Sequence, residues 1–189
     1  MDIMERLELF SGMIGSTAPL YHWYFDGAGR LLSTDFPNDN GENGLLHYLG
    51  IYNLVQQEIA AESRVPVYIG NGMGVQFLAD FCYDGPQLRL ACLFGPVFTG
   101  SDSAMQIRKR LESLRLPPER LQELDALLEQ AAIVAPPILR HDAVMLHYVL
   151  TGERITPLDI STATTEVSKQ PEKNSEAFFS EHRGVWSSE

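Results

Sequence analysis

An α+β chain, with a single antiparallel sheet of about five strands and helices flanking it, is the fold class this sequence predicts. Three observations carry it. Short runs with apolar residues at every second position (21–25, 75–83) alternate with runs whose apolar residues recur every third or fourth position (3–14, 45–60). Turn residues stand directly between consecutive strand-like runs, Asp26-Gly27-Ala28-Gly29 in one place and Asp84-Gly85-Pro86-Gln87 in another, as hairpins require. Apolar residues make up 44% and charged residues 21% of the 189, enough for one sizeable core and an appendage.

The first helix spans 2–14, with Ile3, Leu7, Phe10 and Ile14 at helical spacing, and Gly15-Ser16 and Pro19 stop it. YHWYFDGAGRLLST follows as a hairpin, with Tyr21, Trp23 and Phe25 on one face. FPNDNGENG is loop, and 45–62 is helix, broken near Gly50. Next come a short strand and a long hairpin turning at Gly85-Pro86. An apolar face is obtained if Tyr83 opposes Leu88, Phe81 opposes Leu90, Ala79 opposes Cys92 and Phe77 opposes Phe94. Gln76, Asp80 and Arg89 then share the other face. Cys82 and Cys92 fall on opposite faces and stay thiols. Gly95-Pro96 ends the last strand at the sheet's edge, and 99–103 hand the chain to helices at 102–113, 117–130 and 137–151. Ser101 or Asp102 caps the first of these, Pro117-Pro118 starts the second and Gly152 closes the third. In the third, Ile138, Val144, Met145, Tyr148 and Val149 point inward. Polar, aperiodic sequence after Ile160 reads as a linker, mostly disordered up to about Ser175.

Composition and motifs exclude several functions. A formal charge of −11 repels phosphate backbones and anionic lipid, so nucleic acid is not a direct partner of this piece. No run reaches the ~20 apolar residues of a membrane span, and the acidic start is unlike a signal peptide, so a cytoplasmic protein without a membrane partner is expected. Gly70-Asn71-Gly72-Met73-Gly74 precedes a strand, whereas a phosphate-binding loop precedes a helix; it is a turn. His141 and His147, six residues apart, face different ways, and Cys-x-x-Cys is missing, so no metal and no cofactor is expected. Neither a Gly-x-Ser-x-Gly elbow nor a cysteine at a helix start offers a nucleophile, and no enzyme is expected. The aromatic residues are mainly core, yet tips such as the indole N–H and imidazole also suit a small-ligand pocket.

Hairpin, helical crossover and meander, in that order, form the strand–helix rhythm of PAS- and GAF-type sensor domains. The segments PLYHWYFDGAGRLLST, LACLFGPVFTGSDS and AVMLHYVLTGERITPLDI, in that order and spacing, resemble the N-terminal sensor region of AraC-type transcriptional regulators of Gram-positive, often gut-dwelling bacteria. The resemblance covers about residues 5–160. It implies a PAS/GAF-like sensor domain over 1–160 and a linker, 161–189, toward a helix-turn-helix domain that this chain does not include, through which alone DNA would be bound. It further implies a homodimer that binds a small-molecule effector between the sheet and the central helices. Face assignment makes Trp23, Phe77, Phe94 and His147 the ligand-lining residues, with Tyr21 and Tyr148 beside them. Ile3, Leu7 and Phe10 form the dimer contact, unless that helix packs on its own sheet. The alternatives are a ligand-free dimerisation module with a filled core and, further off, an enzyme of unrecognised type.

Overall fold

The computed structural model describes residues 2–14, 20–39, 44–70, 74–98 and 103–164. The expected stop at Gly15–Pro19, the centre of the glycine-rich turn, the cap at Ser101 or Asp102, and the chain after Thr164 lie outside the described residues. The elements are α1 (Ile3–Ile14), β1 (Tyr21–Phe25), β2 (Leu31–Thr34), α2 (Leu45–Tyr48), α3 (Ile51–Ala60), β3 (Val67–Gly70), β4 (Val75–Asp84) and β5 (Gln87–Phe98). They continue as α4 (Ser103–Ser113), α5 (Pro118–Glu129), β6 (Ala132–Ile133), α6 (Pro136–Thr151) and β7 (Ser161–Thr164).

Local chemistry accounts for the joints. The Asp26 carboxylate accepts the backbone N–H groups of Ala28 and Arg30, each at 2.9 Å, which closes the β1–β2 turn. Gly50, at φ 73°, sits in the left-handed region between α2 and α3, where a side chain would be strained. Pro118 and Pro136 open α5 and α6, and Gly152, at φ 80°, ends α6 by donating its N–H to the Tyr148 carbonyl.

The chain is α+β, with one open mixed sheet of seven strands and flanking helices, rather than five antiparallel strands. Its order is β2-β1-β5-β4-β3-β7, and β6 pairs with the end of β5. The β1–β2, β1–β5, β3–β4 and β4–β5 pairs are antiparallel; β3–β7 and β5–β6 are parallel. The two unanticipated strands are the ones sequence patterning shows least. β6 has two residues, and β7 is the polar Ser161-Thr162-Ala163-Thr164, drawn from the segment expected as linker.

Helices cover both faces of the sheet. On one, Trp23, Phe25, Ile69, Phe77, Phe81 and Leu93 pack against α2–α5 through Leu45, Ile51, Val55, Ile107, Leu111 and Leu124. On the other, Tyr24, Leu78, Leu90, Cys92 and Phe94 pack against Leu7 and Phe10 of α1 and Ala143, Leu146 and Leu150 of α6. Leu7 and Phe10, placed at a dimer contact by the sequence, are fully buried within the chain, with the Phe10 and Phe94 rings edge to face at 5.5 Å. Ile3 is half-buried against the same cluster. An amphipathic terminal helix needs an apolar partner surface, and here its own sheet and α6 provide it.

The β4–β5 register differs from the sequence reading. Tyr83 does oppose Leu88, but Cys82 then opposes Leu90, so Arg89 is the extra residue of a bulge. Beyond it every pair is moved by one: Phe81 opposes Ala91, Asp80 opposes Cys92, Ala79 opposes Leu93 and Leu78 opposes Phe94. Cys82 and Cys92 consequently share the α1/α6 face, and both are free thiols. Gly95-Pro96 lies inside β5, a central strand, and does not end the sheet. The register skips from Leu78–Phe94 to Gln76–Val97, which leaves Phe77 against the two residues of a second bulge. Proline lacks an N–H for the ladder and is tolerated in such a place. The Phe77 ring covers Gly95 so closely that a β-carbon there would lie 2.6 Å from it.

Candidate functional site

The α1/α6 face carries the chemistry. Strand alternation points Leu78, Asp80 and Cys82 of β4 to this face, and cross-strand pairing sets Tyr24, Cys92 and Asp80 in one row over three strands. On α6, Leu139, Ala143, Leu146 and Leu150 form the inward stripe, and His147 lies within it. This stripe is rotated from the expected one. Ile138 and Tyr148 are 57% and 52% exposed, whereas His147 and Asp80 are 1% and 0% exposed.

Asp80 and His147 form a buried pair. The imidazole Nδ1 is 2.9 Å from Oδ2 and 3.2 Å from Oδ1 of the carboxylate. Oδ1 also accepts the Phe81 N–H at 2.8 Å, and the Cys92 thiol approaches the Asp80 carbonyl at 3.6 Å. The other ring nitrogen, Nε2, is buried and has no hydrogen-bond partner among the described residues, as is the Tyr24 hydroxyl. Burial pushes the Asp80 carboxyl up, against the pull of His147. For His147, burial opposes protonation, but the hydrogen bond and charge of Asp80 outweigh it, and the imidazole ends above its ordinary value. Together the two groups hold one shared proton more tightly than an exposed histidine holds its own. Burial also pushes the neighbouring Cys82 and Cys92 thiols up, so neither is a ready thiolate.

At the end of the same face lies a cavity of about 40 Å3. Ile14 of α1, Leu78 and Phe94 of the sheet, Ala132 of β6, and Leu139 and Asp142 of α6 are in its wall. Burial pushes the Asp142 carboxyl up, with His141 acting the other way. An apolar wall with one carboxyl suits a small, largely apolar group that presents one hydrogen-bond donor. On the outer side, Arg6, Leu9, Met13, Tyr148 and Val149 line an open groove of about 350 Å3 between α1 and α6.

The sheet divides the six ligand-lining residues expected from sequence. Trp23 and Phe77 belong to the α2–α5 face, 5.8 Å apart edge to face, and Tyr21 stands there too, 4.9 Å from Phe36. The Trp23 indole N–H donates to Asp39 at 3.0 Å, so its polar tip is already engaged. Phe94 and His147 belong to the α1/α6 face, and Tyr148 stands in the outer groove. Asp80 and Asp142 were not anticipated. The sequence reading puts Asp80 on the same side of β4, but its register gives that side Arg89 instead of Leu90, Cys92 and Phe94 and so makes it polar; the signal available was the place of Asp80 between apolar neighbours in Leu78-Ala79-Asp80-Phe81. Among the described residues, no group of three or more His, Cys, Asp or Glu side chains could hold a metal ion, and no helix is long and apolar enough to cross a membrane.

The chain matches no family model, no curated protein and no solved structure.

Proposed function

We propose that the chain is the effector-binding, signal-transmitting module of an AraC-type transcription regulator, PAS- or GAF-like in build, and that it takes its effector on the α1/α6 face. The order of elements supports the build: the β1–β2 hairpin, the α2–α3 crossover and the β3–β4–β5 meander, with β1 returning beside β5. The observation that carries the function is the cavity whose wall is shared by α1, the sheet and α6. A group entering it alters the packing of both flanking helices at once, which is what transmission to a DNA-binding domain farther along the polypeptide requires. At about 40 Å3 the cavity holds only a few waters, against the several hundred Å3 of a small-molecule site, so the effector enters as the helices part. The module works as a homodimer in this reading, and DNA is contacted by another domain.

A second reading, a dimerisation module with no effector, is favoured by the outer groove. There Leu9, Met13 and Tyr148 are all more than half exposed on two adjacent helices. A thermal-shift screen of sugars, organic acids and aromatic metabolites separates the two. An effector at about 100 times its Kd adds roughly 2.7 kcal/mol, a shift of several degrees. The sensor reading expects a hit that Ala132→Leu, which fills the cavity, abolishes in a folded protein. A screen without hits and a melting temperature that rises with protein concentration favour the dimerisation module.

A further inference from the structure

We propose that Asp80 and His147 form a proton-operated latch, which holds α6 on the sheet while the pair keeps its shared proton and loosens α6 from β4 when that proton is lost.

The geometry carries this. The pair bridges the central strand β4 and the helix α6, 67 residues apart in sequence, and is a side-chain hydrogen bond inside an otherwise apolar interface. Both residues are sealed from solvent. With the proton present, the pair is neutral overall and satisfied at Nδ1. Without it, a full negative charge remains on Asp80 in an apolar layer, held only by the Phe81 N–H and a neutral imidazole. Turning α6 outward brings water to that charge. Loss of the proton therefore favours the open arrangement of α6.

The groups that face the pair leave it as the one that titrates. From β4 and β5 come Cys82 and Cys92, and from β1 the Tyr24 hydroxyl, all pushed up by burial, away from the range in which a histidine ordinarily titrates. The charges of Arg6 of α1 and Arg89 of β5 act on Cys82, and that of Glu8 of α1 on Tyr24. Glu153, just past the end of α6, favours the proton on His147. Because the latched His147 sits above its ordinary value, the latch is complete below about pH 6.5, the value of an exposed histidine. It weakens as pH rises through the latched value.

This inference does not depend on the effector reading, and the test needs no ligand. Hydrogen-exchange protection of the α6 amides from Ala143 to Leu150 is measured from pH 6 to 10, alongside α3 as an internal control and the NMR titration of the His147 ring. Protection in α6 is expected to fall by up to tenfold per pH unit where His147 titrates, as one linked proton requires, while α3 stays level. In His147→Gln, which keeps a neutral donor, the α6 profile is expected to follow that of α3. If His147→Gln does not fold, the wild-type titration alone decides. An α6 profile that stays level through the His147 titration overturns the latch, and so does a fall shared equally by α3.

Discussion

Replacing His147 by Leu removes the partner of a carboxylate that is 0% exposed. The pair then changes from two groups that satisfy each other at 2.9 Å to one buried acid held by the Phe81 N–H alone. Breaking a buried pair from one side costs about 3–5 kcal/mol. For a chain of this size that corresponds to a melting temperature lower by roughly 6–20 °C. Part of the loss is recovered at low pH, where Asp80 takes up a proton. Removing both partners is different: Asp80→Val with His147→Leu exchanges the pair for apolar groups of comparable volume. The double variant is expected within about 1 kcal/mol of the wild type, or more stable. Urea melts followed by circular dichroism on the four members of this cycle give the coupling directly. A loss under about 1 kcal/mol for His147→Leu, or a double variant whose loss equals the sum of the two single losses, would refute the reasoning.

Three further outcomes follow from the packing. Phe94→Ala, at a fully buried ring, is expected to cost about 3–5 kcal/mol, whereas Tyr148→Ala on the same side of the molecule stays within about 0.5 kcal/mol, both read from urea midpoints. Gly12→Ala, inside α1 with nothing within 4 Å of the new β-carbon, is expected to raise stability by roughly 0.5–1 kcal/mol; Gly50→Ala, at φ 73°, lowers it by about 1 kcal/mol, and thermal melts of both variants check the contrast. A thiol reagent is expected to leave the buried Cys92 unmodified in the folded protein and to find both thiols free after denaturation; a missing thiol in the denatured count would contradict the free state of the two cysteines.

Much of the fold is legible in the sequence, because most of its joints depend on local chemistry. The Asp26 turn, the break at Gly50, the proline starts of α5 and α6 and the Gly152 stop all follow from single residues whose conformational preference is strong. The β4–β5 register is not local in this sense. Both faces of the sheet are buried, so Phe77-Leu78-Ala79 and Leu90-Ala91-Cys92-Leu93-Phe94 are apolar at every position, and alternation cannot choose between two registers one residue apart. The bulge at Arg89, an exposed residue in an apolar strand, decides it, and that choice turns Leu90, Cys92 and Phe94 of β5 onto the face that Asp80 occupies by the alternation of β4. The candidate site was less legible for the same reason. His147 stands out in Val144-Met145-Leu146-His147-Tyr148, but its partner is 67 residues away, on a side of β4 whose β5 neighbours the expected register makes polar. β7 is polar and four residues long, and its pairing with β3 is written in the neighbour rather than in itself.

In the proposed function an effector acts through the cavity between α1, the sheet and α6. Hydrogen exchange of the wild-type protein with and without the best-stabilising compound of the thermal screen tests it most directly. Added protection is expected at the end of α1, at β6 and along α6, with α2–α5 unchanged. Protection concentrated instead around Trp23, Phe77 and Phe36, on the opposite face of the sheet, would contradict it.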